Sequence, residues 1–154
     1  MASVMFLVAM IELMVTTAIT AGSALLFAYW FRYTCLLILS AKTARDYEAT
    51  VASAHQLGFV HVQSGLAGCA NEDLSRLEQA LVHDYAVIRS LLHRAENRES
   101  ILESRMLQLH YRIMRAWFSV SSRLSPEIAR QALSEMSQVV AYLANSVGEA
   151  AAAA

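Results

Sequence analysis

The chain opens on an unbroken apolar block and then changes to amphipathic patterns. From Ala2 to Phe31 the only formal charge is Glu12. About 20 apolar residues are enough to cross the hydrocarbon of a bilayer. The block therefore predicts a transmembrane helix, roughly Val4 to Trp30, within an anchor segment 1–33. It has no basic leading region and is too long for the apolar part of a cleaved signal, so it reads as an anchor. Apolar character continues from Cys35 to Leu39, and after Arg32 no breaker appears until Gly58. This predicts that the anchor helix runs on as a membrane-proximal helix over 34–57 and stops at Gly58.

Residues 58–70 contain three glycines and the alternation Phe59, Val60, His61, Val62. They are expected to form an irregular or short extended connector. His55, Gln56, His61 and Gln63 speak against a second crossing in this region. A helical hairpin is expected over 71–149. Asn71 serves as N-cap of its long helix, with Glu72 and Asp73 in the first turn, where the helix dipole favours acids. Apolar positions then run Leu74, Leu77, Leu81, Ile88, Leu92, Ala95, Leu102, Met106, Leu109, Ile113 and Val120. The spacing is largely three-then-four, the signature of coiled-coil-like packing.

The long helix, 71–123, would measure roughly 75–80 Å, against about 35–40 Å for the membrane-proximal helix. It must therefore bend, with Asn97 in the polar stretch Arg94–Ser100 as the weak point, or run along the membrane or a partner. Ser125 and Pro126 open a last helix over 126–147. Ile128, Ala132, Met136, Val139, Val140, Leu143 and Val147 form its one apolar face, and Gly148 is expected to end it. The alanine tail, 150–154, is uninformative.

The fold class is accordingly all-α. A single N-terminal transmembrane helix continues into a cytoplasmic helical hairpin or three-helix bundle with coiled-coil-like packing. Arg32, Lys42 and Arg45 follow the anchor, and no basic residue precedes it. By the positive-inside tendency the N-terminus lies outside and the rest is cytoplasmic, in a cell (inner) membrane.

Composition adds two points. Net charge is −1, which gives no case for a nucleic-acid partner. The two cysteines, Cys35 and Cys69, form no metal-type or disulfide framework and are expected to be free, buried thiols.

Candidate chemistry is sparse. Nucleophile elbow, phosphate loop, HExxH and Glu-x-x-His signatures are all missing from the sequence, so an enzyme is not expected and no cofactor or metal is assigned. The five histidines are expected as surface or capping residues. Two interaction surfaces stand out instead. On the anchor, Glu12, Thr16, Thr20, Ala24 and Ala28 form a small, polar transmembrane stripe suited to close helix contact. On the second half of the long helix, Arg105, Arg112, Arg115 and Arg123 share one face, and no acid lies between Glu103 and Glu127. Leu107, Tyr111, Met114 and Phe118 add a second apolar and aromatic stripe to that of Leu102, Met106, Leu109, Ile113 and Val120, with Trp117 between them, so more of this helix is apolar than one neighbour covers.

The expected role is a non-catalytic accessory or scaffold subunit of a larger membrane protein complex. Its partners would be other integral membrane subunits; an anionic lipid surface and a second copy of the chain also fit the Arg/aromatic helix. Two alternatives belong to other classes: a haem- or pigment-carrying subunit of an electron-transfer or light-harvesting complex, and a self-associating signalling or regulatory stalk.

Overall fold

The computed structural model describes residues 2–40, 46–68, 73–95 and 101–153. All regular structure among them is α-helical: α1 (Ala2–Ser40), α2 (Glu48–His55), α3 (Phe59–Ala67), α4 (Leu74–Ala95), α5 (Ile101–Ser121) and α6 (Pro126–Ala153). The chain divides into two units, residues 1–37 and 38–154.

The first unit is α1, a helix of 39 residues and thus about 58 Å long. It is long and apolar enough to cross a membrane. Large apolar side chains such as Met5, Leu13, Leu25 and Phe27 are exposed around it. A helix that is apolar on all sides requires an apolar surround.

The second unit is a helical bundle arranged around α6, which contacts α2, α3, α4 and α5. Its buried residues include Leu133, Met136, Val139, Val140, Leu143 and Val147. Small buried residues on the other sides, Ala129, Ala132, Ser137, Ala141, Ala144 and Gly148, let several helices approach closely. α6 therefore has far more than the single apolar face expected, and Ile128 of that face is exposed. It also runs through Gly148, which does not end it. A Cβ at Gly148 would collide with Tyr47 and come within 3.2 Å of Val51 Cγ2. The glycine is there to admit α2.

The other departures have local causes. α1 ends at Ser40, and Asp46 and Tyr47 are non-helical before α2 begins, so one continuous helix to Leu57 does not form. Asn145 Oδ1 takes the Tyr47 N–H, and Asp46 Oδ1 accepts from Glu48 N–H, which starts a new helix at that point. α2 ends at Gln56 in the left-handed region (φ 53°), and the Leu57 N–H reaches back to Ala52 O at 2.9 Å. This closure needs no glycine. Gly58, the expected stop, has a φ of −91° and instead precedes α3. The stretch expected to be irregular is thus helical over Phe59–Ala67, because Phe59 and Val62 both insert into the core on one face.

The expected helix over 71–123 is two helices. Asp73 caps α4 through a 3.0 Å bond from Ser75 N–H, while the proposed cap Asn71 lies outside the described residues. Asn97 also lies outside them. The flanking helices nevertheless double back, since Glu78 and Tyr85 of α4 meet Arg115 and Tyr111 of α5 respectively. Doubling back buries Leu77, Leu81 and Ile88 against the same central helix that Leu107, Met114 and Phe118 use. Pro126 opens α6 as expected, with Ser125 O accepting from Ala129 N–H.

Candidate interaction surface

The anchor stripe is no more exposed than the rest of α1 from Met5 to Trp30. Glu12, Thr16, Thr20, Ala24 and Ala28 are all exposed on α1. Their hydroxyls are bonded within the helix: Thr16 Oγ1 donates to Glu12 O and Thr20 Oγ1 to Thr16 O, each at 2.8 Å. A neighbouring helix could therefore pack on this stripe through small side chains without being needed to complete its hydrogen bonds.

On α5 the sequence-predicted residues separate into two groups. Leu107, Tyr111, Met114 and Phe118 point inward and are buried. Arg105, Arg112 and Arg123 are exposed. Arg115 is tied to α4 through Nε to Glu78 Oε1 at 3.1 Å, an exposed pair of small energetic weight. The other stripe remains uncovered in the second unit: Leu102 is 72% exposed, Leu109 49%, Ile113 43%, Trp117 51% and Val120 54%. At about 100° per residue these side chains, with half-buried Met106, fall within about 80° of one another. Leu124, beyond the helix end, extends the patch. Arg105 and Arg112 border it on one side.

Behind this surface the bundle is locked by polar contacts that periodicity did not reveal. His110 Nε2 lies 3.3 Å from Glu135 Oε2, with side-chain exposures of 1% and 8%. His110 was expected at the surface as a solvated or capping residue. It is buried because its position on α5 faces α6, while His55, His61, His83 and His93 are exposed. The signal available was Glu135, a lone acid between Glu127 and Glu149 at helical spacing from the apolar positions Ala132 and Val139. Nearer the start of α5, Tyr142 OH donates to Glu103 Oε2 at 3.1 Å. Burial, then the Glu103 carboxylate, pushes this phenol up to about 12, so it stays a donor throughout the physiological range.

Between α4 and α5, Tyr85 and Tyr111 stack with ring centroids 3.9 Å apart and planes within 7°. Burial raises both phenols, most strongly Tyr111, against the opposing pull of Arg112 and Arg115 respectively. Beside them Asp84 is buried, with its Oδ2 close to Gly58 at the start of α3 and without a hydrogen-bond partner among the described residues. Burial raises its pKa against the opposing pull of the Phe59 and Gly58 backbone.

Cys35 is free and buried, as expected, and Cys69 lies outside the described residues. Among the described residues no three His, Cys, Asp or Glu side chains converge to hold a metal ion. An open groove of about 440 Å³ between α3 and α6 is lined by Gln63, Leu66, Ala67, Arg130, Ser134 and Gln138, among others. Comparison with protein families, with characterised proteins and with solved structures gave no match.

Proposed function

We propose that this chain is a membrane-anchored, non-catalytic accessory or scaffold subunit of a larger membrane protein complex. α1 crosses the cell (inner) membrane with its N-terminus outside, and the bundle presents α5 to partners on the cytoplasmic side. The observation that carries this reading is the stripe of α5 through Leu102, Leu109, Ile113, Trp117 and Val120, left uncovered while the opposite stripe is buried. Soluble surfaces rarely keep a contiguous apolar patch of this kind unless something docks on it. Trp117 and the bordering arginines are the residue types that anchor such contacts. The small-residue stripe of α1 supplies a second contact, within the bilayer, to integral membrane subunits.

The test is purification in mild detergent and identification of the polypeptides that stay bound. Stoichiometric co-purifying subunits are expected, and Leu109→Glu or Trp117→Glu is expected to break the assembly that α5 makes, whether with one of them or with a second copy. A chain that emerges alone and monodisperse overturns the proposal. An absorbance spectrum of the same preparation tests the haem- or pigment-carrying alternative, which requires a visible band abolished by a histidine substitution.

A further inference from the structure

The uncovered stripe of α5 has a repeat of its own. Leu102, Met106, Leu109, Ile113, Ala116 and Val120 alternate steps of four and three, which is the seam of a coiled coil. The buried face, with Leu107, Tyr111, Met114 and Phe118, is already used inside the bundle. In heptad terms Met106, Ile113 and Val120 take the a positions, and Leu102, Leu109 and Ala116 the d positions. Two of the three a residues are β-branched and two of the three d residues are Leu, the combination that favours two parallel strands.

The flanks agree with that orientation. Arg105 and Arg112 occupy g, and Glu103, His110 and Trp117 occupy e. In a parallel pair each g side chain meets the e side chain five positions further along the other strand. Arg112 then lies against Trp117 of the second copy, where a guanidinium over an indole is attractive. His110, the e residue reached by Arg105, is turned inward against Glu135 and puts no exposed cation opposite it. In an antiparallel pair the g rows would face each other, setting arginine against arginine.

We propose that α5 pairs with α5 of a second copy of this chain, parallel and in register, along Leu102, Leu109, Ile113 and Val120. The pairing rests on the reading of α5 as an assembly surface given above. It is isologous, so each residue of the seam meets its own counterpart across a two-fold axis. A seam of about three heptads is short. Confinement of both copies to one membrane raises their effective concentration and makes a short seam sufficient.

Full-length Leu109→Cys protein, oxidised in native membranes, tests the pairing directly. A reductant-sensitive homodimer well above the wild-type background is expected. Gln138→Cys, on an exposed part of α6 away from the seam, is expected to stay at background. Ile113→Glu in the Leu109→Cys protein is expected to cut the link at least tenfold while far-ultraviolet circular dichroism stays unchanged, because Ile113 is not in the core. The proposal is overturned if Leu109→Cys does not link to itself, or if the link survives Ile113→Glu. It is also overturned if linking requires co-expression with an Ile113→Cys chain, which marks an antiparallel pair. A photoreactive group at position 109 separates the two readings. An adduct with a different polypeptide removes self-pairing but leaves the assembly surface standing, and the lack of any protein adduct removes both.

Discussion

Asn145 Oδ1 accepts a 2.7 Å hydrogen bond from the backbone N–H of Tyr47, 98 residues away in sequence. Its Nδ2 donates at the same time to Glu149 Oε1 at 3.2 Å. A buried side chain of the central helix thereby ties down the backbone just ahead of α2. Asn145→Ala should cost about 0.5–1.5 kcal/mol, the net worth of one hydrogen bond. Asn145→Asp, which keeps the acceptor, should cost less. Urea denaturation of the detergent-solubilised protein, followed at 222 nm, makes the comparison.

Gly148 lies one turn further along the same crossing. Replacing a mid-helix glycine by alanine normally gains about 1 kcal/mol in helix propensity. Here the added methyl meets Tyr47 and Val51. Gly148→Ala is therefore expected to destabilise by about 1–3 kcal/mol through overpacking. A Tyr47→Ala change in the same chain should recover part of that loss. A rise in melting temperature for Gly148→Ala alone would show that α2 does not pack this closely.

Asp84 gives the bundle a pH dependence of definite sign. Its pKa is raised on folding, chiefly by burial, with the Gly58 and Phe59 amides and His83 opposing. The folded state thus binds the proton more readily than the unfolded one. Through this group, stability is gained as pH falls through the raised value towards the ordinary carboxylate range, and lost again as pH rises. Glu48, also raised by burial, acts in the same direction. Asp84→Asn keeps the shape of the side chain without the charge. It should be more stable than wild type at pH 8, with the difference shrinking on acidification, as read from melting temperatures across that range.

The buried pair His110–Glu135 should behave non-additively. Loss of one member strands a polar or charged group in the core and costs about 3–5 kcal/mol. Replacement of both by apolar residues of similar volume, His110→Leu with Glu135→Met, should lie within about 1 kcal/mol of wild type or above it. Additive single-mutant losses in a double-mutant cycle would rule out coupling between the two side chains.

Gln56 occupies the left-handed region without being glycine. That conformation costs an L-residue roughly 1–2 kcal/mol. Gln56 is exposed, so its side chain contributes little to offset the cost. Gln56→Gly should therefore raise the melting temperature, an outcome readable by differential scanning calorimetry.

Large apolar residues at regular spacing carried most of what the sequence made legible. They located α1 and the buried face of α4, and Pro126 marked the start of α6. They failed where small or polar residues do the packing. α6 is central because Ala129, Ser137, Ala141, Ala144 and Gly148 allow neighbours on several sides, and a stripe drawn through Met136, Val140 and Leu143 does not register them. The reversal between α4 and α5 follows from the need of both to reach α6, a long-range requirement invisible in a continuous three-then-four pattern. Both α5 stripes were visible in the sequence. Which of them is buried was not, since Leu107, Tyr111, Met114 and Phe118 are no more apolar than Leu102, Leu109, Ile113 and Val120. The choice depends on where α4 and α6 lie, and His110 with Glu135 takes part in making it.

The position of α6 in the chain order also governs how the protein is made. α2, α3, α4 and α5 all leave the ribosome before the helix that joins them, and at typical rates the 28 residues of α6 take on the order of 1–6 s to follow. During that interval both apolar stripes of α5 are uncovered, while α1 has long since emerged. On the proposed reading of α1 as a membrane anchor, commitment to the membrane precedes commitment to the fold. A nascent chain tethered by α1 is then held apart from the bulk of newly made protein while α5 waits for its partner.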